Sequence, residues 1–265
     1  MSVADPATVG DAIEGLERKL ESLSVRFGAV GVKAEFEAEA AYLQEVALLA
    51  DIARAAGLRM TLKIGGPEAR SDIREASIMG IDRVVAPLIE SAFAVQKFLS
   101  AIEGVPVGDP WSPELAINVE SRAGLNCVNE IVRAAAGSVT SMVIGRTDLL
   151  ASMGQPISHV DDLSLIPLLE PALKSAADAG MECSIGGTLS FRSLPLLAEL
   201  GNFVSTAETR KVIFPIEVLL GKDGRMALAA AMEFEQAWLE YRLAAFGPAR
   251  QDDLSRVQIL KLRSN

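Results

Sequence analysis

The sequence predicts an α/β fold, a TIM-type (β/α)8 barrel, and three observations carry that reading. Short apolar runs rich in β-branched residues alternate with longer helical patterns along most of the chain. Glycines stand just past the helical stretches, at Gly57, Gly80, Gly104, Gly137, Gly180 and Gly201, where C-terminal caps belong. Polar residues close nearly every apolar run, and no GxGxxG turn follows the first of them. A doubly wound open sheet would instead concentrate its polar ends at one switch point.

Taken in order, the chain opens with an amphipathic helix over Pro6 to Arg26, in a segment 1–27 added to the barrel. Strands follow at Ala29 to Ala34, Arg59 to Ile64, Arg83 to Ala86, Leu115 to Val119, Ser141 to Ile144, Glu182 to Ile185 and Phe203 to Ser205. They read as apolar rather than alternating, as parallel strands covered by helices do. Helices are predicted over Ala38 to Ala56, Glu68 to Met79, Ser91 to Ile102, Ala123 to Ala136, Asp162 to Ala179 and Phe191 to Leu200. Seven strands leave one of eight unaccounted for: either the first strand is missing or atypical, or the N-terminal helix replaces it. The segment 222–265 reads as a long helix, Met226 to Phe246, followed by a polar tail. At 265 residues and 50% hydrophobic, the chain is large enough to be one barrel domain.

Composition narrows the chemistry. A net charge of −10 disfavours nucleic acid, because phosphate binding needs a basic face. A small anionic substrate remains compatible, since a pocket can be positive on an acidic surface. No apolar stretch approaches the roughly 20 residues of a membrane span, and the N-terminus lacks the regions of a signal peptide. A soluble, cytoplasmic protein is therefore expected. The two cysteines, Cys127 and Cys183, fall inside apparent elements and read as buried thiols. The single histidine, His159, sits in a polar loop, which excludes histidine-rich zinc sites and leaves the chemistry to carboxylates, Lys, Arg and a bound ion.

The strand ends supply those groups. Leu115-Ala116-Ile117-Asn118-Val119 leads into Glu120, and Ser141-Met142-Val143-Ile144-Gly145 leads through Arg146-Thr147 to Asp148. In a parallel barrel the carboxyl ends of successive strands face one mouth, so the two carboxylates can meet and hold a hard divalent cation. The alternative is that each merely caps the following helix. Lys33-Ala34-Glu35-Phe36-Glu37 ends the first strand and Glu208-Thr209-Arg210-Lys211 follows the last. Lys63, inside Met60-Thr61-Leu62-Lys63-Ile64, is a charge in an apolar run, which is costly unless paired or functional. It reads either as an ion-pair partner of Glu35 or Glu37 or as a ligand for a substrate carboxylate or carbonyl oxygen. A Schiff-base role would need no metal, so the acidic pair weighs against it. The turns Ile64-Gly65-Gly66 and Ile185-Gly186-Gly187 each precede a helix, where a backbone without Cβ atoms lets an anion approach. Tight turns alone explain them equally well.

These segments resemble the HpcH/HpaI aldolase and citrate lyase β-subunit family. Ala116-Ile117-Asn118-Val119-Glu120-Ser121-Arg122 is similar to that family's strand ending in a metal-binding Glu, and Ile144 to Gly154 to its strand and loop carrying a metal-binding Asp. Val85-Ala86-Pro87-Leu88-Ile89-Glu90-Ser91 is similar to the preceding strand. The match spans roughly Gly31 to Phe214, and the subgroup it resembles best shares Lys33 to Glu37 and Glu208 to Lys211. The resemblance implies a TIM barrel, Mg²⁺ (or Mn²⁺ or Co²⁺) on Glu120 and Asp148, and C–C bond cleavage or formation beside a carboxylate. Two departures stand out. Where pyruvate-type relatives carry an Asp-Gly-Glu-His run, this chain has Glu35-Phe36-Glu37-Ala38, and where they place an Arg it has Lys63.

The expectation is thus a metal-dependent lyase or aldolase acting on a small 2-oxo acid or related carboxylate. Lys63 and Arg146 would neutralise the substrate, Gly186 and Gly187 would help bind it, Arg210 would hold a distal carboxylate or phosphate, and Glu35 or Glu37 would be the general base if the site raises its pKa. The alternatives are a citrate-lyase-like reaction on an acyl-CoA or sugar acid, and a carboxylate-binding barrel without turnover. The family resemblance also implies association through C-terminal helices. With Met226, Leu228, Ala231, Met232, Phe234, Trp238 and Leu239 forming an apolar stripe, a homo-oligomer, trimer or hexamer, is expected.

Overall fold

The computed structural model describes residues 6–105, 111–248 and 253–263. Eight strands close a barrel in sequence order: β1 (Gly31–Glu35), β2 (Arg59–Lys63), β3 (Arg83–Ala86), β4 (Glu114–Val119), β5 (Ser141–Gly145), β6 (Glu182–Gly186), β7 (Thr206–Glu208) and β8 (Val212–Pro215). The first seven run parallel, whereas β8 is antiparallel to both β7 and β1. The atypical strand is therefore the eighth and not the first. The N-terminal helix replaces no strand: Pro6–Phe27 lies in the outer ring, against Leu43–Ala55 and Gly224–Phe246, with Leu16, Leu20 and Leu23 buried on its inner stripe. Residues 1–5 of the expected N-terminal segment lie outside the described residues.

The seventh strand also differs from expectation. Phe203, Val204 and Ser205 form the approach to it, with Ser205 N–H donating to the Cys183 carbonyl, and the strand proper is Thr206–Glu208. A tight turn reverses the chain into β8, held by the Thr209 hydroxyl, which accepts from the N–H groups of Lys211 and Val212. The predicted helix 123–136 is broken at Cys127 into Arg122–Asn126 and Val128–Ala135. The polar tail contains a further helix, Asp253–Arg263, whose Val257 and Leu260 pack on Leu239. No helix of the described residues is long and apolar enough to cross a membrane.

Strand register decides what faces the barrel axis. Glu35 pairs with Lys63, Lys63 with Val85, Asn118 with Val143, Gly145 with Gly186, and Ser184 with Thr206. Because side chains alternate with period two, Lys33, Glu35, Lys63, Asn118, Ser184 and Glu208 all share the inner face. Val32, Ala34, Leu62, Ile117 and Ile144 face the helices, where they are buried in one continuous core. The amino-terminal end of the barrel is closed by Arg59 and Arg83, which pair with Glu114 at 2.6 and 2.7 Å, and by Glu182, 3.3 Å from Arg83. The carboxyl-terminal end is left open.

Candidate active site

The inner polar residues form a chain of alternating charge across the mouth. Glu208 accepts from Ser184 Oγ at 3.3 Å and pairs with Lys33 at 2.5 Å; Lys33 also pairs with Glu35 at 3.1 Å. Lys63 stands 4.0 Å from the other oxygen of Glu35 and 3.1 Å from Glu120 Oε2. Burying one such charge alone would be prohibitive, whereas an alternating row keeps each one compensated. Burial pushes the Glu35 carboxyl upward, but Lys33, Lys63 and Arg210 together outweigh it and hold the group down at about 2. Burial lowers Lys33, yet Glu208 and Glu35 reverse this and hold its ammonium well above the usual lysine range.

Glu120 is 2% exposed and its oxygens are nearly fully used. Oε2 accepts from Lys63 and, at 2.5 Å, from Asn118 Nδ2; Oε1 accepts from Leu88 N–H at 3.0 Å. That leaves one lone-pair direction on Oε1. Leu88 delivers its N–H from a left-handed conformation, φ 50°, that a bulky residue adopts only when its surroundings impose it, and its side chain is exposed at the cavity rim. Burial pushes the Glu120 carboxyl upward and the charge of Asp148 pushes it further, against Lys63 and the Leu88 N–H. Asp148 is solvent-exposed, and its carboxylate makes no hydrogen bond or ion pair with any described residue. Glu120, Asp148 and Lys63 line one cavity of about 470 Å³, together with Glu35, Glu37 and Glu90.

Of the other expected site residues, Arg146 is placed elsewhere. It is fully buried at the start of the helix Arg146–Ser152. Its Nε donates to the Gly186 carbonyl at 3.1 Å, Nη1 to Val160 O at 2.8 Å and Asp161 at 3.1 Å, and Nη2 to Gly187 O at 2.8 Å and Ser193 Oγ at 3.5 Å. With all five N–H donors committed, it ties three loops together and has none left for a substrate. Gly186 and Gly187 likewise serve the backbone rather than an anion. Gly187 has φ +88°, and a Cβ there would lie 2.7 Å from Thr147 N and 2.9 Å from Arg146 N, so the turn itself fills that helix N-terminus. Gly65 N–H is taken by Asp72 at 2.7 Å.

Arg210 sits behind the mouth, donating to Glu39 at 3.1 Å and to the Ala38 carbonyl. Glu39 also pairs with the buried Lys211, and Arg242 joins Glu39 O to Glu45, so this cluster fastens the β1 turn to the C-terminal helix. Glu35, held near 2, does not meet the raised pKa expected of a base. Glu37 remains at the cavity wall and exposed. His159 is exposed, and burial pushes the Cys183 thiol up to about 12, which leaves it unreactive. Lys33 and Glu208 were not among the expected site residues, although each is a charge embedded in an apolar strand like Lys63. Of the expected apolar stripe on Gly224–Phe246, Leu228, Ala231, Phe234, Trp238 and Leu239 are buried within this chain, whereas Met232 is half-buried and Met226 is 47% exposed.

The sequence profile of the HpcH/HpaI aldolase/citrate lyase family matches residues 33–184. No curated protein matches the chain. Among solved structures, an HpcH/HpaI aldolase/citrate lyase family protein from Burkholderia cenocepacia superimposes with a TM-score of 0.61 at 16% identity, over 73% of this chain and 83% of that one. An HpcH/HpaI aldolase from Desulfitobacterium hafniense gives 0.55 at 14% identity, over 67% and 76%. A citrate synthase variant gives 0.55 at 16% identity, over 73% and 81%. At these identities the structural likeness speaks for the fold, and the profile match, covering more than half of the chain, speaks for the family.

Proposed function

Since the chain belongs to the HpcH/HpaI aldolase/citrate lyase family, we propose that it is a carbon–carbon lyase that breaks or forms a bond beside a carboxylate, acting on a small 2-oxo acid through an enolate. The observation that supports this best is the meeting of Glu120, Asp148 and Lys63 at one cavity. Two carboxylates, one with an open lone pair and one unpaired among the described residues, are a hard oxygen donor set that suits Mg²⁺ or a similar divalent ion. Burial raises the Glu120 carboxyl and the charge of Asp148 adds to it, and a bound cation would offset both. Among the described residues no three His, Cys, Asp or Glu side chains are grouped closely enough to hold a metal ion by themselves, so the remaining coordination falls to water and substrate. A bound divalent ion would supply Lewis acidity to an adjacent carboxylate and carbonyl pair.

The chain's own residues do the rest. Lys63, held between Glu35 and Glu120, presents its ammonium to the developing oxyanion, where a fixed positive charge lowers the barrier most. Glu37 takes the hydroxyl proton as the C–C bond of an aldol breaks, leaving an aldehyde and an enolate, and returns a proton to the enolate carbon. Leu88, Pro87 and Ile64 form the apolar part of the wall and limit water. Two measurements test the reading. Mg²⁺ or Mn²⁺ should bind the native protein by calorimetry and lose at least tenfold in affinity in Glu120→Gln and Asp148→Asn, with far-UV circular dichroism unchanged. The native protein should also exchange the methyl protons of pyruvate for deuterium in a metal-dependent way. Unchanged metal affinity in both variants, or no exchange by the metal-loaded protein, refutes it.

A further inference from the structure

We infer that this site takes a substrate carrying a single carboxylate and rejects a second anionic group, so that phosphorylated, CoA-linked and dicarboxylate substrates are excluded. The inference rests on the lyase reading only for where the first carboxylate sits. Its ground is the charge facing the cavity. Among the described residues Lys63 is the one cation on the wall, and it is already shared between Glu120 and Glu35. Glu35, Glu37, Glu90, Glu120 and Asp148 face it, so even with a divalent ion bound the wall keeps an excess of negative charge. The substrate's own carboxylate adds to that excess.

Two guanidiniums that could compensate a second anion are used elsewhere, and Arg122, after the cavity-lining Ser121, is exposed to solvent and not part of the wall. Arg146 spends its donors on three loops, and Arg210 is fixed to Glu39 and the Ala38 carbonyl. The backbone turns that could cradle an anion are closed, at Gly187 by the chain of residues 146–147 and at Gly65 by Asp72. A longer substrate meets the same sign further out. The cavity continues past Glu37 and Gly65 into a groove of about 550 Å³, whose one lysine among the lining residues, Lys97, is 2.6 Å from Glu68. Asp72 lines that groove and has no ion-pair partner among the described residues. The groove's apolar contribution is Phe93, 66% exposed, with Pro67 and Ala94. An uncharged extension fits this lining and an anionic one is repelled, because like charges brought together in a partly desolvated cleft cost affinity that no contact here returns.

The test compares 2-oxopentanoate with 2-oxoglutarate, which share a five-carbon chain and differ by a methyl in place of the distal carboxylate. Binding to the full-length, Mg²⁺-saturated protein is measured by calorimetry, and deuterium exchange at C3 of each acid by proton NMR. We expect 2-oxopentanoate to bind at least tenfold tighter. The pair Glu90→Gln with Asp72→Asn, which keeps the hydrogen bonds to Ser121 and Gly65 N–H but removes both charges, should narrow that ratio at least threefold by improving 2-oxoglutarate alone. Equal or tighter binding of 2-oxoglutarate overturns the inference, as does a ratio that ignores the double substitution. Binding in the expected order without exchange leaves the inference standing and refutes the lyase reading. Exchange that is faster with 2-oxoglutarate than with 2-oxopentanoate does the reverse, and failure of both acids to bind overturns the two together.

Discussion

Replacing Arg146 separates a loop-holding role from a substrate-binding one. Its guanidinium is fully buried, and each of its donors meets a carbonyl, the Ser193 hydroxyl or the Asp161 carboxylate. Arg146→Met leaves three carbonyls without their partner and Asp161, 19% exposed, with only the Ser193 hydroxyl. Removing one member of a buried pair costs about 3–5 kcal/mol, most of it the desolvation of what is left behind. For a chain of this length each kcal/mol moves the melting temperature by about 2 °C, so a fall of roughly 6–10 °C is expected. Arg146→Lys should lose nearly as much, because one ammonium cannot reproduce a planar fork that spans residues 160, 186 and 193. Asp161→Asn, which keeps an acceptor, should cost about 1–2 kcal/mol. Thermal melting by circular dichroism reads all three. A melting point for Arg146→Met within about 2 °C of the parent, with KM for a 2-oxo acid raised more than tenfold, would refute the argument and return Arg146 to the substrate.

Three further outcomes follow from the same geometry. The Glu35 carboxyl is held at about 2 in the folded protein against an ordinary value near 4.5, a depressed group whose stabilisation is full above 4.5 and lost as pH falls towards 2; the difference is worth about 3 kcal/mol, so urea midpoints should drop through that window and Glu35→Gln should flatten the drop. A Cβ at residue 145 would lie 2.8 Å from Glu120 Oε2 and 2.9 Å from Glu120 Cβ, and Glu120 is pinned by Lys63, Asn118 and Leu88, so Gly145→Ala should weaken divalent-ion binding at least tenfold by calorimetry while Gly15→Ala, in open space on the N-terminal helix, does not. Trp238 is 3% exposed inside one chain, so Trp238→Ala should cost about 3–5 kcal/mol in urea unfolding without changing the sedimentation coefficient of the folded protein, whereas a changed sedimentation coefficient would place that side chain in an interface.

How far the chain can be read without coordinates depends on which physical signal each residue carries. Strands β1 to β6 were legible because each presents buried apolar residues to the helices that cover it, and each one is followed by a helix and a glycine. The β7–β8 hairpin was not, because Thr206–Glu208 is three residues long and Glu208-Thr209-Arg210-Lys211 reads as a charged loop end; nothing in it announces that Thr209 closes a reversal. Lys63 was found from the cost of burying a charge, and the same cost marks Lys33, between Val32 and Ala34, and Glu208, after Ala207. Arg146 was misplaced for a different reason: standing at a strand's end says that a side chain is near the mouth, not which way it points. Direction follows from period two counted along each strand and carried across by register. Asn118 and Glu120 lie on the inner face; Asn118 pairs with Val143, so Gly145 is inward and Arg146 is turned out, under the loop that carries Val160 and Asp161. The same count puts Lys33, Glu35, Lys63 and Glu208 inside. Parity is thus the signal that separates the side chains able to meet a substrate from those that hold its walls, and it is available as soon as the strands are paired.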